Sequence, residues 1–219
     1  MDSYYETRYT PHPARQAVWK HLCAYFNRRW IPKSARVIDI GAGYCSFINQ
    51  IQAAEKWACD AHPDLPRHAA HGVKILPGGV KSLISLPEGA FDVVFASNLF
   101  EHLTREELLS ALAQIHRILG ARGRLVVMQP NFKYCMADYF DDLTHVSIFT
   151  HVSFTDLLRS TGWAIAWCEK RFFPYSFKSG WSRLGILVPL YLRLPYKPLA
   201  AQMLVVAEKV PTVEEHHVE

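Results

Sequence analysis

An acidic residue followed closely by two glycines is the most informative chemical pattern in this sequence. Asp39 lies in the apolar run 37–40, Gly41 and Gly43 come after that run, and Asp60 follows Asp39 by 21 positions. Glycines let a backbone turn sharply and let a ligand press against it, because they have no Cβ. A carboxylate at the end of the next strand can accept the hydroxyls of a ribose. The pattern therefore predicts a cofactor that contains a nucleoside.

Buried strands and helices must hold these residues in place. The run 37–40 predicts a strand, and we expect a helix from about Ser46 whose N-terminal amides face the ligand. A dinucleotide-binding turn is the main competing interpretation. Its pattern requires a third glycine at the sixth position, where this chain has Ser46.

The rest of the chain alternates predicted strands with predicted helices. An N-terminal helix covers 13–29, a capping box at Thr104 begins a second clear helix that Gly120 ends, and a third covers about 153–160 before Gly162. The predicted strands lie near 36–40, 56–60, 73–76, 91–96, 124–129, 163–172 and 201–207. This alternation predicts an α/β fold with a mostly parallel sheet covered on both faces.

The composition is that of one soluble domain. The chain has 219 residues, half of them hydrophobic, and a net charge of +4 without a dense Lys/Arg stripe, so we expect no nucleic-acid partner. Five scattered cysteines form no CxxC pair, which predicts a cytoplasmic protein without disulfides or a zinc site. No apolar stretch reaches the roughly 20 residues that span a bilayer. The nearest is 184–194, which we interpret as core or as a lid, with peripheral membrane contact as the alternative.

Several motifs, taken in order, resemble those of the class I S-adenosylmethionine-dependent methyltransferases. The likeness covers about residues 30–165 and is nearest to the small-molecule and ubiquinone-type group. The acid before the glycine turn and the block 91–103 favour this family over the dinucleotide-binding proteins. The later stretch 171–179 is similar to bacterial members whose context suggests cell-surface glycan tailoring. The motifs that carry the resemblance are Val37–Gly43, Asp60, Phe91–Val94, Ser97–Leu103 and Ile115–Leu119.

The resemblance implies a Rossmann-like sheet of seven strands in the order 3-2-1-4-5-7-6, with strand 7 antiparallel and helices on both faces. It implies a single domain over 1–219. The parts of that domain are an N-terminal helix 13–29, a cofactor-binding core 34–130, substrate-site loops, helices and a lid 131–199, and a final strand 200–208. S-adenosylmethionine is the implied cofactor, and S-adenosylhomocysteine is the product.

The same resemblance assigns five residues to the cofactor. Asp39, Gly41 and Gly43 hold its methionine part, Asp60 holds the ribose, and Asn98 lies near the sulfonium.

The sequence departs from the family pattern in two places. Cys45 replaces the third glycine, which hinders the approach of backbone to cofactor slightly. The segment 77–80 lacks the acid that many members use to bind the adenine amino group. We expect backbone amides and apolar walls to hold the adenine instead.

The expected reaction is methyl transfer to an oxygen, or less readily a nitrogen, of a small-molecule or glycan-linked acceptor. A hydroxyl acceptor needs a general base, and histidine can take a proton near neutral pH. His145, in the polar loop 141–145 after strand 5, is the first choice, and His102 is the second. Trp181 and Tyr191 are expected to wall the acceptor site. No metal is implied.

Five further residues are expected to contact the substrate: Asn131, Tyr134, Asp142, Arg171 and Lys178. The two cations could bind a phosphate or carboxylate, although a solvated surface charge is the simpler interpretation of each. The alternative function is a module that binds cofactor or a partner without catalysis. An RNA methyltransferase is disfavoured, because no basic extension interleaved with aromatic residues is present. The sequence does not determine the oligomeric state.

Overall fold

In the part of the chain that the structure describes, seven strands form a single sheet. The computed structural model describes residues 13–175 and 187–210. Its strands are β1 (Arg36–Ile40), β2 (Glu55–Asp60), β3 (Val73–Pro77), β4 (Phe91–Ser97), β5 (Leu119–Pro130), β6 (Trp163–Pro174) and β7 (Ala200–Lys209). Their order across the sheet is β3-β2-β1-β4-β5-β7-β6. The pairs from β3 to β5 are parallel, whereas β7 pairs antiparallel with both β5 and β6. The predicted order and the antiparallel seventh strand are confirmed.

Helical segments precede β1 and lie in the connections from β2 onwards. In the described part of the chain the α-helices are α1 (Pro13–Arg29), α2 (Leu65–His68), α3 (Arg105–Ile118), α4 (Phe132–Cys135), α5 (His151–Ser160) and α6 (Val188–Tyr191). Short 3₁₀ helices cover Gly79–Ser85, Phe100–His102 and Tyr139–Asp141.

One face of the sheet packs against α1. Val37 of β1 and Phe95 of β4 are buried there together with Trp19, Leu22 and Phe26 of α1. Each fully buried apolar side chain of this size contributes about 1.5–3 kcal/mol to stability. This packing fixes α1 over the strands that carry the glycine turn.

The opposite face packs against α3 and α5. Ile38 of β1 and Val94 of β4 point to this side, where they join Leu112 of α3 and Phe154 of α5 in a second apolar core. Successive residues of a strand point to opposite faces, so strands buried on both sides are continuously apolar. The helices on both faces are those that the alternating sequence predicts.

The helix α3 begins as predicted but ends differently. Thr104 accepts a hydrogen bond from the Glu107 amide and its own amide donates to the Glu107 carboxylate, so the capping box is present. The helix ends at Ile118, and Leu119 is already extended and paired with Phe91 of β4. The prediction that Gly120 ends the helix is wrong, because strand pairing captures the chain before the glycine is reached.

The helix expected from Ser46 is also absent, because residues 43–50 form consecutive turns. Gly41, Gly43 and Cys45 have φ angles of 73°, 49° and 55°, so left-handed residues interrupt the start of any right-handed helix. The amide of Ile48 donates to the Asp39 carboxylate, which diverts it from a helical hydrogen bond. The amides of this segment are therefore oriented by turns rather than by a helix axis.

Candidate cofactor and active site

A cavity of about 590 Å³ lies at the carboxyl ends of β1, β2, β3 and β4. Open α/β sheets bind ligands at this edge, where the strand order changes direction. Seven of the residues predicted to act in the site line this cavity: Asp39, Gly41, Gly43, Asp60, Asn98, His102 and Asp142. Its other walls include Arg15 and Trp19 of α1, whose proximity to the glycine turn was not predicted.

Asp39 faces the cavity from inside the sheet and is only 3% exposed. Burial raises the pKa of its carboxyl group well above the usual range, and the nearby charge of Asp60 raises the pKa further. The hydrogen bond from the Ile48 amide acts in the opposite direction. Asp39 therefore fastens the turn segment to β1 in addition to lining the cavity.

Asp60 ends β2 and holds the glycine turn from the other side. Its Oδ2 accepts a hydrogen bond from the Gly43 amide at 2.7 Å, and its Oδ1 accepts one from the His62 amide at 2.8 Å. Each carboxylate oxygen has further acceptor capacity beyond one hydrogen bond. Asp60 can therefore accept ribose hydroxyls from the cavity while it keeps the turn in place.

The glycine turn leaves room for a ligand. A Cβ built on Gly43 would meet no heavy atom within 4 Å, whereas one on Gly41 would lie 3.0 Å from Cδ1 of Leu99. Cys45 is fully buried and adopts the left-handed conformation that a glycine would tolerate more easily. Burial, followed by the charges of Asp39 and Asp60, raises its pKa to about 12, so it stays a thiol. The open space beside Gly43 fits a cofactor that presses against the backbone.

The end of β3 supplies glycines where many relatives have an acid. Gly78 and Gly79 have φ angles of 102° and 67°, and both line the cavity with Val80. A Cβ on Gly79 would lie 3.2 Å from the Cβ of Ala61. The wall predicted for adenine thus consists of glycine backbone and small apolar side chains.

Asn98 follows β4 and lines the cavity in a left-handed conformation, with φ of 50°. Its amide donates to the Met128 carbonyl at 2.9 Å, which ties β4 to β5 at the site. Its Oδ1 is buried, and no hydrogen-bond partner is found for it within the described ranges 13–175 and 187–210. A buried polar atom of this kind is costly until a ligand or a water molecule satisfies it.

The two candidate bases lie together. The ring centroids of His102 and His145 are 4.9 Å apart. His102 lines the cavity, while His145 is 8% exposed, lies behind it and does not count among the described lining residues. Burial lowers the pKa of His102, and the neighbouring His145 lowers the pKa further. His102 is therefore the histidine with access to a ligand in the cavity, which reverses the order of preference drawn from the sequence.

Glu101 is the neighbour that sequence reasoning left without a role. It is 1% exposed, and burial raises its pKa to about 8, with the charge of Asp142 contributing in the same direction. Its backbone carbonyl accepts the amides of Val146 and Ser147, at 2.9 and 3.0 Å, and so holds the loop of His145 against β4. A carboxylate between apolar residues in the segment 97–103 was the signal available in the sequence.

The remaining predicted substrate residues form a second group. The guanidinium of Arg171 lies 5.0 Å from the ring centroid of Tyr134 and 5.2 Å from that of Tyr196, so it stacks between two tyrosines. Asn131 is fully buried, and its side-chain Nδ2 donates a hydrogen bond to the Lys170 carbonyl and contacts Nδ1 of His151. The structure brings Tyr134 and Arg171 together, but neither is among the described residues of the cavity wall.

Two predictions concern the segment after β6. Lys178 and Trp181 lie outside the described residues. Tyr191, in α6, is 5% exposed and packs edge-on against Phe173 at 5.8 Å. It belongs to the apolar core on the α1 face of the sheet. Within the ranges that the structure covers, no helix is long and apolar enough to cross a membrane.

Comparison with known proteins shows what the sequence and the fold are similar to. A family model described as a methyltransferase domain matches residues 38–127, which run from β1 into β5. No curated protein matches the sequence.

Solved structures with the same fold come from several organisms. An S-adenosylmethionine-dependent methyltransferase of Archaeoglobus fulgidus is 20% identical, with 87% of this chain and 94% of that chain covered and a TM-score of 0.61. One of Mesorhizobium loti is 16% identical, with 83% and 95% covered and a TM-score of 0.59. A Pyrococcus horikoshii protein is 14% identical, with 96% and 100% covered and a TM-score of 0.67. The chain thus has the Rossmann-like methyltransferase fold, and the matched domain implies S-adenosylmethionine as the cofactor.

Proposed function

We propose that this protein is an S-adenosylmethionine-dependent methyltransferase that methylates a hydroxyl oxygen of a small-molecule or glycan-linked acceptor. One observation carries the proposal: the residues suited to the cofactor and the histidine suited to proton transfer, His102, line a single cavity. The family match over 38–127 does not favour the alternative of a binding module without catalysis.

The chain's own residues fit the cofactor in three places. Asp60 would accept the ribose hydroxyls, and the backbone at Gly41 and Gly43 would contact the methionine part. Asn98, whose buried Oδ1 lacks a partner among the described residues, would face the sulfonium. When bound, S-adenosylmethionine supplies an electrophilic methyl group: the acceptor oxygen forms the new C–O bond, the C–S electron pair returns to sulfur, and the hydroxyl proton is released. The protein must align the acceptor and exclude water.

Proton removal takes place at the pair His102 and His145. Nδ1 of His102 is held by Thr144, whose carbonyl and hydroxyl oxygens lie 3.2 and 2.9 Å away. The Thr144 hydroxyl in turn donates to Asp142 at 2.6 Å. This series of hydrogen bonds orients the His102 ring. The lowered pKa of His102 keeps the ring unprotonated at neutral pH and able to accept a proton.

The acceptor is proposed to extend from the cavity past Asp142 towards Tyr134 and Arg171. Asp142 lines the cavity at its rim, next to Leu143, which is 82% exposed. Arg171, stacked between tyrosines, presents a cation suited to a carboxylate or phosphate of the acceptor. We further propose that Lys178 contacts the acceptor and that Asn131, which is buried, positions the strand that carries Arg171 through its bond to the Lys170 carbonyl. A cytoplasmic location would suit the unpaired cysteines, and the segment 184–194 would contact a membrane surface when the acceptor is lipid-linked.

Calorimetric titration with S-adenosylmethionine and S-adenosylhomocysteine, with NAD as the control, tests the cofactor. Binding of both adenosyl compounds without binding of NAD is expected. A radiolabelled-methyl assay over a panel of sugar and small-molecule hydroxyl acceptors then tests the reaction. No adenosyl binding would refute the proposal, and binding without turnover on any acceptor would favour the module.

The histidine pair is tested by substitution. His102→Ala and His145→Ala should each lower turnover by about 100-fold with little change in cofactor affinity, because general-base catalysis contributes about 10²–10⁴-fold. His116→Ala serves as the control, since His116 packs against Trp163 at 5.2 Å, away from the cavity. Full turnover in both site variants would exclude the pair from proton transfer.

A further inference from the structure

Glu101, His102 and His145 form a compact cluster of groups that can bind a metal ion. One ligand atom from each residue lies within 4.8 Å of the other two. Glu101 and His145 are buried, and His102 opens the cluster to the cavity. A general base would need only one of these histidines, so the clustering of two imidazoles and one carboxylate points to a further role.

Hydrogen bonds fix the tautomer of both rings. Nδ1 of His145 lies 2.7 Å from the Tyr139 carbonyl, which only accepts, so Nδ1 carries the proton and Nε2 carries the lone pair. The Thr144 hydroxyl gives its proton to Asp142, so it too can only accept from Nδ1 of His102. Nε2 is thus the basic nitrogen in both rings. Metal-bound histidines show this same arrangement, with the other ring nitrogen donating to a carbonyl or to a similar oxygen acceptor.

The carboxylate of Glu101 gives independent support. Glu101 is 1% exposed, and apart from its own backbone amide, which lowers the pKa of the group, its side-chain oxygens have no hydrogen-bond partner in the portion of the chain that the structure describes. A buried carboxylate without further donors is strongly unfavourable unless a cation or a donor compensates it. A metal cation would satisfy this carboxylate together with both histidines, because one ligand atom of each residue lies within 4.8 Å of the others.

We propose that Glu101, His102 and His145 bind a divalent first-row transition-metal ion at the wall of the cavity. Imidazole nitrogens favour zinc, iron, nickel or copper over magnesium and calcium, which prefer oxygen ligands. Ligands at about 2.0–2.2 Å from one ion lie about 3.4 Å apart in tetrahedral geometry, so small side-chain rotations close the set. Three protein ligands leave further coordination positions for an exogenous group, as in catalytic metal sites.

This inference deepens the proposed function and rests on it for the role of the ion. The acceptor hydroxyl would bind the open position, and the ion would lower the pKa of that hydroxyl so that its proton leaves to solvent. The oxygen lone pair then attacks the methyl carbon, and the C–S pair returns to sulfur. The histidines would act as metal ligands, and the ion would take over their role as the activating group.

Metal binding is measured on the full chain without reference to turnover. The protein is dialysed against EDTA and titrated calorimetrically with Mn²⁺, Co²⁺ and Zn²⁺, and the Co²⁺ form is examined for visible absorption bands. One ion per chain is expected, with affinity lowered at least tenfold by Glu101→Gln and unchanged by Glu106→Gln, an exposed glutamate in the first turn of α3. The Co²⁺ absorption bands are measured on the wild-type protein, so the presence or absence of a bound ion can be decided even if Glu101→Gln fails to fold.

S-adenosylhomocysteine binding and turnover separate this inference from the proposed function. Metal-free protein should bind S-adenosylhomocysteine normally, lose turnover, and regain it when the ion is restored. Absence of a stoichiometric ion, equal metal affinity in Glu101→Gln, or full turnover after EDTA would each overturn the metal site and leave the histidine base standing. Failure to bind S-adenosylhomocysteine while the ion still binds would refute the methyltransferase instead.

Discussion

Asp60 offers the sharpest test of the cofactor site, because it acts on both the turn and the ligand. Its two carboxylate oxygens accept hydrogen bonds from the backbone amides of Gly43 and His62, with N···O distances of 2.7 and 2.8 Å, and its side chain lines the cavity. Asp60→Asn keeps one acceptor oxygen but replaces the other with an amide group that donates. One of the two backbone amides then faces a donor.

The magnitude follows from these hydrogen bonds. A hydrogen bond to a charged group contributes about 1.5–3 kcal/mol, and the amides of Gly43 and His62 are partly exposed, so we expect the variant to lose about 1–2 kcal/mol of stability. Loss of the carboxylate acceptor for the ribose should weaken cofactor binding by about 1.5–3 kcal/mol, which is about 10- to 100-fold in Kd.

Calorimetry with S-adenosylhomocysteine and with its 2′-deoxy analogue measures both effects. Wild-type protein should discriminate between the two ligands, and Asp60→Asn should discriminate much less, because the partner of the hydroxyl has been removed. Asp64→Asn is the matched control, since Asp64 pairs with the exposed Arg67 and is not among the described lining residues. An unchanged Kd, or equal discrimination in wild type and variant, would refute the ribose contact.

Four other substitutions have defined outcomes. Gly43→Ala should cost about 1 kcal/mol of stability through its positive φ and should weaken cofactor binding, whereas Gly41→Ala should cost more because its Cβ meets a leucine side chain at 3.0 Å. Calorimetry and urea unfolding check this, and equal unfolding energies would contradict it. Burial lowers the pKa of His116, so the stabilisation from its neutral form is present above its ordinary pKa and is lost as the pH falls below that value. The Tm difference between wild type and His116→Gln should therefore shift in the variant's favour from about pH 8 to about pH 5, and a constant difference would rule this out. Arg171→Lys should lower the free energy of unfolding by about 1 kcal/mol, since lysine cannot stack as a plane between two tyrosine rings; an unchanged urea midpoint would count against it.

Local patterns in the sequence predicted the strands and the main helices. β4 is apolar over Val93–Ala96 because both of its faces are buried, and α3 carries its own capping box at Thr104. Such elements follow from burial and from contacts within a few residues. The strand order required the resemblance to a known family, since it depends on which strands meet across the sheet.

The parts that could not be predicted depend on contacts between distant residues. The turns over 43–50 exist because Asp39 in β1 binds the Ile48 amide, which no local propensity reveals. The order of the two histidines was reversed because packing against Tyr139 buries His145. Glu101 received no role from its sequence context, because its burial depends on the segment around Val146 and Ser147, whose amides bind its carbonyl.

The loop of His145 has a consequence for how ligands enter and leave. The amides of Val146 and Ser147 bind the Glu101 carbonyl, the Ser147 hydroxyl binds the Leu103 carbonyl at 2.6 Å, and Thr144 binds His102. Swinging the loop outward would break all of these bonds at once and disassemble the reactive centre. We therefore expect the loop to stay in place during turnover. Entry of the acceptor and release of the product must then depend on motion elsewhere along the rim of the cavity.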